Sequence, residues 1–318
     1  MSNSNNNERK VPELSLTSYT QGSTAEQIKF VDELMYGLKE YGFIILDNHT
    51  VDQNKVDEAY EMVKKFFSLP VETKLDYQGQ NGGQRGYTPF GMEHAKDSKH
   101  PDLKEFWHVG RELAATSQYK GVYPENIWPA EVPGFKEKFL SLYESMDATA
   151  NILLEAIGKG LDVPAGFFEE MVNDGNSILR TIHYPPTTGH DTTNSIRAGA
   201  HEDINLITML VGATSSGLQL LDRDGTWLDV DSKPGQLVVD SGDMMARLTN
   251  NVLPATTHRV INPDNSGEER YSMPYFVHPH SKASLACLES CVGEGKKWED
   301  ITAGDFLNQR LREIGLIK

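Results

Sequence analysis

The spacing of apolar residues changes past the middle of the chain. Early on it is helical: Ile28, Val31, Leu34, Met35 and Leu38 share one face, Ser23 and Glu26 form a capping-box pattern ahead of them, and Gly42 closes the segment. Val56, Tyr60, Val63 and Phe67 predict a second helix from about Asp52 to Ser68, ended by Pro70. Leu140, Tyr143, Ile152, Leu153 and Ile157 predict a long helix from Pro133 to Gly160. Short strands are expected at Val11 to Leu16 and Phe43 to Leu46. Between the helices, Gln78 to Gly91 turns to Gly, Gln and Asn and reads as a loop carrying Arg85-Gly86-Tyr87-Thr88-Pro89.

Beyond Asn176 the texture is that of strands. Apolar or alternating runs occur at Ile178 to Tyr184, Ile204 to Val211, Leu218 to Leu221, Gln236 to Val239, His258 to Ile261 and Tyr271 to Val277, divided by Gly, Pro, Asn and Asp turns. Such a series predicts an antiparallel sandwich or barrel, not βαβ units. A last helix is expected from about Ala303 to Ile314, and no internal repeat is visible. The expected division is a polar, disordered tail over 1–10, a helical N-terminal region with a lid loop over 11–170, and a catalytic core with its C-terminal helix over 171–318, all one integrated catalytic unit.

Composition narrows the partners. Thirty Lys and Arg against 46 Asp and Glu leave a formal charge of -16, which disfavours nucleic acid and anionic lipid and requires any anion site to be built from individually placed arginines. Cys287 and Cys291 are too few for a disulfide framework, and no further Cys or His pair stands at zinc-finger spacing; a cytoplasmic location is expected. The Asn- and Ser-rich start, Met1 to Lys10, lacks the apolar run of a signal peptide, and no segment reaches membrane-spanning length.

Candidate chemistry gathers in the strand-rich half. His201-Glu202-Asp203 is expected to begin a strand, which would turn His201 and Asp203 to the same side. His258 opens a later strand whose pairing could carry it alongside. Two neutral imidazoles and one carboxylate leave open positions on an iron(II) ion, as in non-haem oxygenases. On its own the His-x-Asp pair is a weak signal, and any distant His proves little in a chain with ten histidines.

The surrounding segments carry a resemblance. HEDINLITML at His201 to Leu210, LTNN at Leu248 to Asn251, THRV at Thr257 to Val260 and RYSMPYFV at Arg270 to Val277 resemble, in order and spacing, the isopenicillin N synthase-like family of iron(II)- and 2-oxoglutarate-dependent oxygenases. The likeness extends to Gly217 to Leu220, Gly225 to Val230, Pro234 to Val239 and Tyr41-Gly42-Phe43. It implies a mainly β fold with flanking helices around a distorted double-stranded β-helix, or jelly roll. By family position His201, Asp203 and His258 would ligate iron(II). Arg270 would pair with the distal carboxylate of 2-oxoglutarate, with Ser272 and Tyr184 adding hydroxyl contacts, and O2 would be the oxidant.

The implied activity is a dioxygenase that hydroxylates a small-molecule C–H bond and releases succinate and CO2. Where many plant relatives carry an Asn two residues before the family tyrosine, this chain has Ile182. The isopenicillin N synthase branch also lacks that Asn and uses no 2-oxoglutarate, so an iron(II) oxidase acting on substrate and O2 alone stays open, as does a jelly roll that binds without catalysis. For the substrate, Arg85 is either a carboxylate clamp or a solvated loop charge, with Tyr87 beside it; Phe276 and Trp107 are either apolar walls or packing. A clamp at Arg85 would suit an amino acid or another carboxylated metabolite.

Overall fold

The computed structural model describes residues 9–79, 84–93, 102–186, 197–212, 217–261 and 267–313. Most of the polar tail (residues 1–8) and the expected helix end at Ile314 lie outside them. In chain order the elements are β1 Glu13–Ser15, α1 Leu16–Thr20, α2 Thr24–Glu40, β2 Phe43–Asp47, α3 Gln53–Phe67, α4 Val71–Leu75, β3 Gly86–Thr88, β4 Glu105–Gly110, α5 Phe135–Gly160 and α6 Phe167–Val172. There follow β5 Ile178–Tyr184, β6 Ala198–His201, β7 Ile207–Val211, β8 Leu218–Leu221, β9 Trp227–Asp229, β10 Leu237–Ser241, α7 Asp243–Leu248, β11 His258–Val260, β12 Arg270–Val277 and α8 Ala303–Glu313.

Two sheets face one another in the jelly-roll core. The larger has eight strands in the order β1-β2-β10-β7-β12-β5-β4-β3, and the smaller runs β6-β11-β8-β9. Every pairing is antiparallel except that of β1 with β2. Side chains alternate across the large sheet with a period of two. Leu179, Met209, Val239, Met273 and Tyr275 pack outward with α2, α3 and α5 in the main apolar cluster, whereas Ile182, Tyr184 and Val238 face inward to a second cluster shared with Leu218, Leu220 and Val260 of the small sheet. The gap between the sheets therefore has apolar flanks and room for polar chemistry.

The helices start where local chemistry places them. Ser23 caps α2 in a reciprocal box with Glu26, and the Asp52 carboxylate accepts the Asn54 N–H at the head of α3, each cap contributing about 1 kcal/mol.

Three departures from the sequence reading matter. The Gly-rich loop contains β3, and the unassigned stretch after it contains β4, so the first 170 residues supply four strands to the large sheet. Glycine and glutamine hid β3, because strand pairing overrides weak local preference. His201 ends β6 instead of opening a strand, and Asp203 lies just past that end.

Candidate metal and cosubstrate site

β6 and β11 pair with His201 directly opposite His258, which sets the two rings 4.4 Å apart, centroid to centroid. Asp203 turns in beneath them, its Oδ1 3.7 Å from His201 Nε2 and 3.9 Å from His258 Nε2. One ligand atom from each residue lies within 4.8 Å of the others. His201 Nδ1 sits 2.7 Å from the Gly199 carbonyl and His258 Nδ1 3.2 Å from that of Thr256. A proton on each Nδ1 satisfies those carbonyls and leaves each Nε2 lone pair facing Asp203, the tautomer that a metal requires. Burial, reinforced by the neighbouring His201, pushes the His258 pKa down to about 4, so this imidazole is neutral near pH 7.

The carboxylate is held as firmly. Thr208, on β7, donates its hydroxyl to Asp203 Oδ2 and accepts from Asn205 Nδ2 at 2.9 Å. Asp240, on β10 beside this group, is held well above the usual carboxylate range by burial and by the charge of Asp203. Two imidazoles and one oriented carboxylate fit iron(II).

From the triad a cavity of ≈ 400 Å³ runs between the sheets. The β5–β12 register puts Arg270 opposite Tyr184 and Ser272 opposite Ile182, and all four line this cavity. The Arg270 guanidinium, 1% exposed, lies 5.0 Å from the Tyr184 ring centroid. A second buried arginine, Arg197, flanks the same ring at 5.9 Å, and burial together with the charge of Arg270 lowers its pKa. Two guanidiniums around one phenol create a local positive field in an acidic protein, which suits the distal carboxylate of a dicarboxylate.

Family models match over most of the chain: the 2OG-Fe(II) oxygenase superfamily over residues 175–279, and the N-terminal region described as non-haem dioxygenase in morphine synthesis over 11–131. A 2-oxoglutarate-Fe(II) type oxidoreductase of Emericella nidulans is 31% identical, with 93% of this chain and 88% of the relative covered. The chain belongs to the 2OG-Fe(II) oxygenase superfamily. Among solved structures, a family protein from Caulobacter crescentus is similar at 46% identity and a TM-score of 0.87, with 96% of this chain and 99% of that one covered. A Neurospora crassa oxygenase in complex with alpha-KG and thymine is similar at 27% identity and a TM-score of 0.84, covering 95% and 96%. The oxygenase is thus an iron(II)- and 2-oxoglutarate-dependent oxidoreductase that consumes O2.

The substrate candidates divide. Phe276 lines the cavity. Arg85, Tyr87 and Trp107 do not appear on its wall. Arg85 is 1% exposed, donates to Asn176 Oδ1 at 3.0 Å and to the Gln84 carbonyl at 2.7 Å, and lies so close over Gly110 that a Cβ there would sit 1.9 Å from the guanidinium carbon. Burial lowers its pKa to about 10, leaving it charged at pH 7. Tyr87 donates to the buried Glu105 carboxylate, which also takes Lys74 Nζ at 2.8 Å. Trp107 is fully enclosed, its ring 4.7 Å from Phe66 and 5.4 Å from Phe135.

Sequence reasoning missed a further part of the wall. His108 reaches it from β4, Arg180 from β5, and Glu93, Asp102 and Lys104 from the chain before β4. The available signal was the alternation in Lys104-Glu105-Phe106-Trp107-His108: in a strand, Lys104 and His108 must oppose Trp107. Arg180 is stacked between Phe106 and Phe276, 4.1 and 5.2 Å from their centroids.

Proposed function

We propose that His201, Asp203 and His258 hold the iron, that Arg270, Ser272 and Tyr184 hold the distal carboxylate of 2-oxoglutarate, and that the oxygenase hydroxylates a C–H bond of a small molecule, releasing succinate and CO2. The observation that carries the reading is the pairing of β6 with β11, which sets two imidazoles, each with its Nδ1 against a backbone carbonyl, beside a carboxylate on a cavity whose wall presents a buried arginine. Iron with 2-oxoglutarate supplies the oxidation of the C–H bond by dioxygen. Thr208 fixes the Asp203 carboxylate, the Gly199 and Thr256 carbonyls fix the imidazoles, and the cavity positions the substrate bond and excludes water.

A compact polar substrate without net charge fits best. Arg85, open in the sequence between a carboxylate clamp and a solvated loop charge, is buried and bonded to Asn176 and the Gln84 carbonyl, which argues against the clamp. Among the described lining residues, Lys104 is paired with Glu93 and Asp102, Arg180 with Glu93, and Arg310 with Asp243 and Glu313, so these cations are already matched by carboxylates of the protein. The Neurospora relative binds thymine, and a Petromyces alliaceus relative is named a proline hydroxylase; one molecule is neutral and the other a zwitterion, and both are compact rings. An amino acid therefore remains within the class, and a simple carboxylate does not. Cys287 and Cys291 stand as free thiols, which supports a cytoplasmic setting. The chain acts as one catalytic unit in this reading, since its N-terminal strands complete the large sheet.

The test is succinate release from iron-reconstituted protein across neutral heterocycles, amino acids and matched carboxylates. Stimulation by a member of the first two groups is expected; stimulation confined to simple carboxylates would overturn the substrate class, and absence of any 2-oxoglutarate turnover would overturn the assignment of roles.

A further inference from the structure

The outer edge of β6 is held by a carboxylate instead of a neighbouring strand. Among the described residues β6 is the outermost strand of its sheet, and no described strand pairs with its outward peptide groups. Gly199 donates its N–H to Asp102 Oδ1 at 2.9 Å, and its carbonyl accepts from His201 Nδ1 at 2.7 Å. Asp102 Oδ2 takes Lys104 Nζ at 2.7 Å, and the same ammonium lies 2.7 Å from Glu93 Oε2. Glu93 receives both arms of the Arg180 guanidinium, at 3.2 and 3.3 Å, and Arg180 Nε donates to His108 Nε2 at 2.6 Å. Through the Gly199 backbone, a series of hydrogen bonds and ion pairs thus joins a triad imidazole to Arg180 and His108 on the cavity wall.

Four paired charges are an expensive way to tie down one strand edge, because each must be taken out of water, and a neutral side chain could accept the Gly199 N–H equally well. What the charges add is a fixed orientation. Asp102 cannot turn from Gly199 without leaving Lys104 half-paired, and Lys104 is held in turn by Glu93. We infer that Asp102 is a positioning residue for His201, acting through Gly199, and that Lys104, Glu93 and Arg180 make this positioning depend on the state of the wall against which the substrate rests. The inference rests on the metal role proposed for His201.

Cobalt(II), added alone to metal-free protein, is the probe: its visible spectrum reports the ligand set, and its titration gives a Kd without turnover. Asp102→Ala is expected to raise that Kd about ten- to a hundredfold and to alter the spectrum, as loss of a partner behind a metal ligand does. Asp102→Asn, which keeps an acceptor for Gly199, should restore the spectrum. Glu93→Gln should weaken cobalt binding in the wild-type background and add nothing in Asp102→Ala. Wild-type binding by Asp102→Ala, or an equal effect of Glu93→Gln in both backgrounds, would overturn the inference. Should Asp102→Ala not fold, Asp102→Asn combined with Lys104→Met serves instead: a wild-type spectrum insensitive to Glu93→Gln is expected, and retained sensitivity would overturn it. His201→Ala run alongside separates the two levels. Unchanged cobalt binding there refutes the metal assignment itself, whereas loss there with normal binding by Asp102→Ala refutes only the role of Asp102.

Discussion

Two groups of residues that line the cavity are built in opposite ways. In the first group, functional side chains come from short segments and are brought together by strand register: His201 opposite His258, Arg270 opposite Tyr184. In the second group, Glu93, Asp102, Lys104, His108 and Arg180 come from a loop and two strands and are bound mainly to one another. The first group turns its side chains toward the cavity; the second spends its charges internally and offers a stacked, neutralised surface. Under the proposed roles this difference is expected: residues that bind the same ion and cosubstrate every cycle need fixed orientation, whereas a surface that receives a compact uncharged molecule needs shape and a few hydrogen bonds, since an unpaired buried charge would be costly there.

Substitutions in the two groups should separate this contrast, and the largest effect belongs to the triad. Asp203→Ala or His201→Ala should abolish iron binding and turnover while circular dichroism stays native, since the triad faces the cavity. Iron content after anaerobic reconstitution and succinate release check this, and wild-type iron content in either variant would break the assignment. Next, Arg270→Lys should raise the 2-oxoglutarate KM about ten- to a hundredfold, because a point-charge ammonium replaces a two-armed donor at a cost of about 1.5–3 kcal/mol. Initial rates at varied cosubstrate measure it.

How far the two groups were legible in the sequence follows from the same contrast. His201, Asp203, His258, Arg270 and Ser272 sit in compact motifs, and a fixed strand register turns motif into geometry. The strand-rich core was legible for the same reason, its alternation running on from Ile178 to Val277. The second group was hidden because Glu93 and Arg180 are 87 positions apart and meet only after β4 and β5 pair. Arg85 stands open in the sequence between a clamp and a solvated loop charge, and its burial over Gly110 is not legible there because Gly110 lies on a strand the reading had not assigned.

Two smaller effects sharpen the boundary between the groups. Thr208→Val keeps shape but removes the hydroxyl that fixes Asp203, so iron affinity should fall about tenfold, with the cosubstrate KM less affected; a metal-chelator competition titration reads this. Smallest in catalysis is Arg85→Met: the substrate KM and the ratio of succinate to oxidised product should not move, while thermal unfolding should show a loss of about 1–3 kcal/mol from the unpaired Asn176. A raised substrate KM would put Arg85 back among the substrate contacts.

The central claim is that triad and arginine form one site in which iron and 2-oxoglutarate are held together. Calorimetric titration of 2-oxoglutarate into the anaerobic protein, with and without iron(II), tests it most directly. Binding at one equivalent should be at least tenfold tighter with iron than without, and Asp203→Ala should remove that difference. Equal affinity with and without iron in the wild-type protein would contradict the account.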